Sequence, residues 1–191
     1  MTDNKRDRIL DTAFELFAQY GFLKTTVEEI AAGSIVGKGT IYFYFHNKED
    51  ILVAVVDREM TKGFNEVSKA MYKEESVDGK LRALLHTAFD YFHKNPMISK
   101  VMAMDHGVAL SVIKDKNKAY QDISIAGIKA LLEQGYNDEV FRKVDFDKVA
   151  YTIDSLIRSF HYLNYLDLEI HKPEEMLDSI MDLLVSGLEA K

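Results

Sequence analysis

Residues 25–52 decide the fold, and they read TTVEEIAAGSIVGKGTIYFYFHNKEDIL. Thr25 and Thr26 each have a glutamate three residues further on, so either can begin a helix through a capping box. Residues 33–37, with a glycine at each end, interrupt the helical pattern, and Asn47 can cap a third, longer helix. Two short helices separated by about four residues predict a helix-turn-helix motif.

Outside this stretch, apolar residues recur at spacings of three and four, which predicts an all-α chain. A helix of residues 5–20 precedes the motif, and the longer helices after it are predicted near 47–71, 78–94, 96–113, 116–135, 146–168 and 174–190. We therefore expect a helix-turn-helix domain over residues 1–46 and a second, helical domain over residues 47–191, and the helix that starts at residue 47 connects the two.

Composition excludes several classes of protein. The 191 residues include no cysteine, which rules out a disulfide scaffold, a thiol nucleophile and a thiolate metal site. The first residues lack an apolar signal core, and no apolar run approaches the ~18 residues needed to cross a bilayer. The expectation is a soluble, cytoplasmic protein.

The net charge of −7 argues at first against nucleic acid, because phosphate contacts favour a basic excess. The local distribution changes this inference. Nineteen consecutive residues from Ile30 to Lys48 contain no Asp or Glu. The acidic bulk is therefore expected to repel DNA while this one segment accepts it, with few phosphate contacts and a shallow salt dependence.

From Arg8 to Leu52 the chain resembles the tetracycline-repressor (TetR) family of bacterial regulators. The residues that carry the resemblance are Ala13, Leu16, Phe17, Gly21-Phe22, Thr25-Thr26-Val27, Ile30-Ala31, Val36, Lys38-Gly39-Thr40-Ile41-Tyr42, Tyr44-Phe45 and Asn47-Lys48-Glu49-Asp50-Ile51-Leu52. The resemblance implies a homodimer, palindromic operator DNA and a C-terminal pocket for a small effector, without a cofactor. It also implies that effector binding moves the helix starting at Asn47 and so changes the spacing of the two DNA-reading heads.

The chain departs from this family at two positions of the turn. The family usually has Gly where this chain has Ile35, and a β-branched residue tolerates a positive φ poorly. Because Gly33 and Gly37 flank Ile35, the turn can be redistributed onto them. The family usually has Ser or Thr at the position of Gly37, although Gly is only a few tenths of a kcal/mol worse as a helix cap.

The DNA-facing set follows from the motif and the resemblance. Lysine and threonine side chains can reach base edges or phosphates, and tyrosines pair an aromatic body with a hydroxyl donor. The set is Thr25, Thr26, Lys38, Gly39, Thr40, Tyr42, Tyr44 and Lys48. Ile41 and Phe45, at i and i+4, are expected in the core, so Tyr42 and one of Phe43 or Tyr44 face outward.

The C-terminal half suggests an effector pocket and a dimer interface. Aromatic and Met side chains suit an adaptable apolar pocket, although core packing explains most of them equally well. The pocket candidates are Phe89, Phe92, Met102, Met104, His106, Tyr120 and Phe160. The interface candidates, on two helices with wide apolar faces, are Leu156, Phe160, Leu163, Leu177, Ile180, Leu184 and Leu188.

His86, Asp90 and His93 fall on one helix face, where a metal ion is conceivable but hydrogen-bonded or surface histidines are much commoner. No catalytic residue and no resident metal are expected. The sequence therefore indicates a ligand-responsive transcriptional regulator, a repressor released from its operator by a hydrophobic or amphipathic effector, and not an enzyme. The alternatives are a helical small-molecule-binding or adaptor protein without DNA binding, and an all-helical enzyme.

Overall fold

The structure is a computed structural model that describes the backbone of residues 5–95, 98, 108–165 and 173–189, and the side chains of 5–95, 98, 111–159 and 177–189. Across these residues it contains α1 (Lys5–Tyr20), α2 (Val27–Gly33), α3 (Lys38–Tyr44), α4 (Lys48–Tyr72), α5 (Val77–Lys94), α6 (Val108–Asn137), α7 (Phe146–Tyr165) and α8 (Pro173–Leu188). The predicted all-α class, an N-terminal helix-turn-helix followed by a helical domain, is confirmed. None of the described helices is long and apolar enough to span a membrane.

One predicted helix boundary is wrong. The break expected between residues 113 and 116 does not exist, because α6 continues from Val108 to Asn137. Residues 114–118 are all polar, and none of them is a Gly or Pro that would end a helix. Ile113 is buried, whereas the Nζ of Lys116 forms an ion pair with the Asp57 carboxylate at 2.7 Å. The polar residues that suggested a break therefore belong to one continuous helix.

The chain packs into two compact units, residues 1–61 with 95–118 (unit 1) and residues 62–94 with 119–191 (unit 2). Unit 1 therefore contains more than the helix-turn-helix, since it also includes the first part of α4 and residues 95–118. The domain boundary expected between residues 46 and 47 stays a prediction about function. α4 and α6 each contribute residues to both units.

Unit 1 has its own apolar core. The largest buried side chains come from all of its helices, with Phe17 and Ile9 from α1, Ile30 from α2, Ile41 from α3 and Ile51 from α4. An ion pair also links α4 to α1, since Arg58 donates to the Asp11 carboxylate at 2.7 Å. The two short helices of the motif thus share one core with α1 and α4.

Unit 2 has a second core, built mainly from α5, α6, α7 and α8. Its fully buried members include Leu81, Leu132, Ile153 and Met181. The loop after α6 is tied to the end of α8, because the Arg142 backbone N–H donates to the carbonyl of Leu188 at 2.7 Å.

Candidate nucleic-acid interface

The turn between α2 and α3 sets the direction of the second short helix. The backbone N–H of Ile35 donates to Ala32 (3.2 Å) and that of Val36 donates to Ala31 (3.0 Å), which is the hydrogen-bond pattern of a Schellman motif. Ile35 occupies its left-handed position with φ 55°. This region costs an L-residue roughly 1–2 kcal/mol. The expected redistribution of the turn onto the flanking glycines is therefore wrong.

Those glycines have other functions. A Cβ on Gly33 would lie 2.6 Å from Cγ2 of Thr12, so this glycine permits the close approach of α2 to α1. Gly37 is the N-cap of α3, with an extended backbone (φ −73°, ψ 150°) and no side-chain cap. A Cβ there would meet no atom within 4 Å, so the position has room for a capping side chain.

α3 presents one face to unit 1 and the opposite face to solvent. Ile41 and Phe45 are buried, as predicted from their spacing. Successive helical residues are about 100° apart, so Gly39 and Phe43, two residues either side of Ile41, lie opposite the buried face. Both are exposed, and Phe43 is 80% exposed.

The side chains predicted to touch DNA flank this outer face. Tyr42 and Tyr44 are exposed, and Thr40 is half-buried. Only one of Phe43 and Tyr44 was expected to face outward, whereas both do, with their rings in edge-to-face contact at 5.0 Å. The structure therefore brings Lys38, Thr40 and the two tyrosines together on the solvent side of one short helix.

Lys38 is held within the motif by an acidic partner on α2. Its Nζ donates to the carboxylate of Glu28, and it also lies 5.9 Å from the ring centroid of Tyr42. The hydrogen bond from Lys38 lowers the pKa of Glu28, and the same bond raises the pKa of Lys38. Both groups are therefore charged at neutral pH, and a phosphate or base that contacts Lys38 competes with Glu28.

The two threonines at the start of α2 have different positions. Thr26 is the N-cap of α2 in a complete capping box, in which Glu29 Oε2 accepts from the Thr26 backbone N–H at 2.8 Å. Thr25 is 1% exposed, and its hydroxyl donates to the carbonyl of Gly21 at 2.9 Å. Thr25 was predicted to face DNA, but its side chain is buried and anchors the turn after α1.

Lys48 is also more enclosed than predicted. Its Nζ donates to the carbonyls of Phe22 (2.7 Å), Thr25 (2.8 Å) and Leu23 (3.4 Å), and it lies 4.4 Å from the Phe22 ring centroid. An ammonium group has three N–H donors, so these carbonyls can occupy all of them. Lys48 joins the first turn of α4 to the α1–α2 turn, and its predicted phosphate contact stays a prediction.

Sequence reasoning missed two exposed side chains of this surface. Phe43 was treated as partly core, although its position opposite Ile41 on a 3.6-residue helix was available as a signal. Lys24, exposed in the turn before α2, adds a cation next to the motif. No pattern in the sequence pointed to it.

Unit 2 contains a narrow apolar cavity between α5, α7 and α8. Its space is about the size of one water molecule. It is lined by Leu85, Phe89, Leu156, Ile157, Leu177, Ile180, Met181 and Leu184. Of the predicted pocket residues, Phe89 lines this cavity, Phe92 is buried elsewhere on α5, and Tyr120 stacks on Phe64 at 5.7 Å. Met102, Met104, His106 and the Phe160 side chain lie outside the described residues.

The residues predicted to form the dimer interface comprise buried residues, half-buried residues and residues whose side chains are not described. Leu177 and Leu188 are buried within unit 2 of a single chain, so they support that core directly. Leu156, Ile180 and Leu184 are half-buried and border the cavity. The side chains of Phe160 and Leu163 lie outside the described residues, and the interface stays a prediction.

The histidine cluster has separate partners for each member. His86 Nε2 lies 3.6 Å from Asp178, Asp90 accepts from Lys94 at 2.5 Å, and His93 stacks on Phe89. Among the residues described, no group of three or more His, Cys, Asp or Glu side chains is arranged to hold a metal ion.

The sequence of the chain is similar to those of known bacterial transcriptional regulators. Residues 9–55, which extend from within α1 to the first part of α4, match the bacterial regulatory proteins of the tetR family. Over 193 residues the chain is 23% identical to the fatty acid metabolism regulator protein of Bacillus subtilis. This alignment covers 96% of the present chain and 95% of that protein.

Solved structures with a similar fold align with nearly the whole chain. A putative TetR-family transcriptional regulator from Syntrophomonas wolfei is 25% identical, with a TM-score of 0.83 and 98% of both chains covered. The transcriptional regulator FadR from Bacillus subtilis, solved in complex with stearoyl-CoA, is 23% identical with a TM-score of 0.76. The alignment covers 96% of the present chain and 99% of the FadR chain.

Proposed function

We propose that this chain, whose residues 9–55 match the tetR family of bacterial regulatory proteins, is a dimeric repressor released from operator DNA by an amphipathic acyl ligand. DNA binding and transcriptional regulation are the general function of its relatives. The acyl ligand is the specific part of the proposal. As a regulator it acts in the cytoplasm, where its DNA lies, and carries out no catalysis.

The observation that supports DNA binding best is the solvent face of α3. This face carries Lys38, Thr40, Tyr42 and Tyr44, while the acidic residues of the motif lie on α2 and at the start of α4. A helix with this face fits the major groove, where its first residues contact base edges and the tyrosine hydroxyls reach phosphates. Two such heads on a two-fold axis require a palindromic operator.

Lys38 is proposed to read a base edge, because it projects from the first turn of α3. Its pairing with Glu28 holds the side chain in one direction before DNA arrives. Replacing Lys38 with Ala should therefore relax base preference at one position of each half-site. Equal losses of affinity on operator and random DNA would contradict this role.

Lys24 and Lys48 are proposed to have different roles, one as a phosphate contact and one as a structural link. Lys24→Ala should lower the slope of log K against log salt by about one unit per protomer and leave the melting temperature unchanged. Lys48→Ala should leave that slope unchanged and reduce the free energy of unfolding by about 1–2 kcal/mol, because three carbonyls lose a charged donor. If Lys48→Ala instead lowers the salt slope and leaves the stability unchanged, Lys48 contacts a phosphate, as the sequence predicted.

The experiment that tests DNA binding is selection of bound sequences from random DNA by the full chain. The expected result is a palindrome with half-sites about one helical turn apart, 10–10.5 base pairs. The few basic residues near the motif predict a salt slope that corresponds to fewer than ten phosphate contacts. Failure to enrich any sequence would overturn the proposal.

The acyl ligand is inferred from the apolar cavity in unit 2 together with the relatives. Every residue that lines the cavity is apolar. The Bacillus subtilis FadR structure holds stearoyl-CoA, and that protein has the same fold over nearly its whole length. Since the cavity is water-sized, an acyl chain must displace side chains to enter it, and this displacement couples binding to a change in shape.

A titration of selected operator DNA tests the ligand. Stearoyl-CoA should release the DNA, whereas coenzyme A without an acyl chain should not. Ile157→Glu places a carboxylate in the cavity lining and should abolish the response while operator binding persists. Ile123→Glu, at a 56% exposed position that does not line the cavity, is the matched control and should respond like the original chain. An unchanged response in Ile157→Glu would place the ligand elsewhere.

A further inference from the structure

The most exposed side chain of α3 is an aromatic ring without a polar atom. Phe43 is 80% exposed, although α3 has a buried face that accommodates Ile41 and Phe45. Among the described residues, its ring is in edge-to-face contact with that of Tyr44. That pair fixes the direction of the ring without removing it from solvent. The packing of unit 1 thus gives no reason for a phenylalanine at this position.

Phe43 lies in the middle of the proposed DNA-reading surface. Gly39, one turn earlier on the same outer face, leaves open space, because a Cβ built there meets no atom within 4 Å. Lys38 and Tyr42 flank this face on one side, and Thr40 and Tyr44 flank it on the other. The face therefore consists of an apolar ring beside a gap, with polar side chains along both margins.

The major groove offers one apolar group that such a face can contact. Each thymine presents its 5-methyl group there, whereas cytosine, adenine and guanine present only donors and acceptors. The polar margins suit phosphates and base edges, so the apolar centre suits a methyl group that enters the gap beside the ring. This argument rests on the proposed DNA-binding function.

We propose that Phe43 is a specificity-determining residue that contacts the 5-methyl group of a thymine in each operator half-site. The contact buries the methyl group against the exposed ring. Removing one buried methyl group corresponds to about a fourfold change in affinity. The selected operator should consequently contain a thymine at one fixed position of each half-site.

The experiment replaces single thymines of the selected operator with deoxyuridine, which removes the methyl group and keeps every hydrogen-bonding group. The original chain should lose about fourfold in affinity per half-site at one position. Phe43→Ala should bind thymine and deoxyuridine operators equally at that position. Phe43→Leu, which keeps an apolar side chain, should retain part of the discrimination.

Tyr72→Ala provides the matched control, since Tyr72 is a 92% exposed aromatic residue at the end of α4. It should keep the deoxyuridine profile of the original chain. The assignment of Phe43 is overturned if no deoxyuridine substitution weakens binding by the original chain, or if Phe43→Ala shows the same loss. Failure of the original chain to select any DNA sequence would instead overturn the proposed function and this inference together.

Discussion

Two helix ends in this protein share one hydrogen-bond pattern, and in both of them glycine lies outside the left-handed position of the turn. α2 ends in a Schellman turn with Ile35 in the left-handed region, and α6 ends in another with Glu139 at φ 60°. After α6 the Glu139 N–H donates to Tyr136 (3.2 Å) and the Val140 N–H to Gly135 (2.9 Å), as the motif requires. Neither turn has glycine at the left-handed position, where glycine is the usual residue.

The glycines lie instead where another part of the chain approaches closely. Gly33 faces Thr12 of α1, and a Cβ on Gly135 would overlap the buried ring of Phe141. The comparison teaches that glycine near a helix end is not by itself a signal for positive φ. In these two turns the glycine serves close packing and a non-glycine residue takes the positive φ, whereas after α1 Gly21 itself has φ 87°.

The largest expected effect is at the α6 turn. Gly135→Ala should lower the free energy of unfolding by about 2 kcal/mol, because overpacking against the Phe141 ring outweighs the gain in helix propensity. Urea unfolding followed by circular dichroism measures it. Gly127→Ala, at an exposed position of the same helix with no atom within 4 Å, should instead raise stability by about 0.5–1 kcal/mol. A gain in both variants would show that the ring moves aside.

A smaller loss is expected at the α2 turn. Gly33→Ala should cost about 1 kcal/mol, since the opposing atom is a methyl group at the end of a threonine side chain, which can rotate. Adding Thr12→Ser removes that methyl group and should recover most of the loss in the same unfolding measurement. No recovery would mean that the helix backbones, and not the methyl group, limit the approach of α2 to α1.

Relief of the strained positions should give a smaller gain in both turns. Asparagine tolerates the left-handed region better than isoleucine or glutamate, so Ile35→Asn and Glu139→Asn should each raise stability by about 0.5–1 kcal/mol. Thermal and urea unfolding of the two variants compare the turns directly. A loss of stability in Ile35→Asn alone would show that the exposed isoleucine makes a stabilising contact that its 84% exposure does not suggest.

The smallest effect is expected at the cap of α3. Gly37→Ser should add a side-chain cap and raise stability by about 0.3 kcal/mol, since serine exceeds glycine at this position by only a few tenths. The extended backbone of Gly37 and its open surroundings fit a serine without rearrangement. A loss instead would mean that the start of α3 requires the freedom of glycine.

Local signals explain why much of the fold was predictable. The capping box at Thr26, the cap at Asn47 and the buried pair Ile41 and Phe45 each depend on residues within four positions of one another. The false break in α6 arose because a charged stretch looks like a loop when the partner of Lys116 is unknown. Asp57, which pairs with it, lies 59 residues earlier in the chain.

The candidate site was predictable as a segment and less so as a set of side chains. Spacing located α3 correctly as the second short helix of the motif, and its contact with DNA stays a prediction. Spacing and charge could not show that Thr25 is buried, that Lys48 is bonded to three carbonyls or that Lys38 pairs with Glu28. Those partners lie on other elements, and only folding brings them together.

The sequence alone determined the all-α class, the helix-turn-helix and the acid-free stretch from Ile30 to Lys48, because each follows from residue type at short spacing. Tertiary structure decided which lysines are paired within the motif, which glycines permit close contacts and which residue has the left-handed conformation of each turn. It also placed Phe43 at the centre of the solvent face of α3. The physical reason is that burial and pairing depend on neighbours distant in sequence, whereas helix periodicity and capping do not.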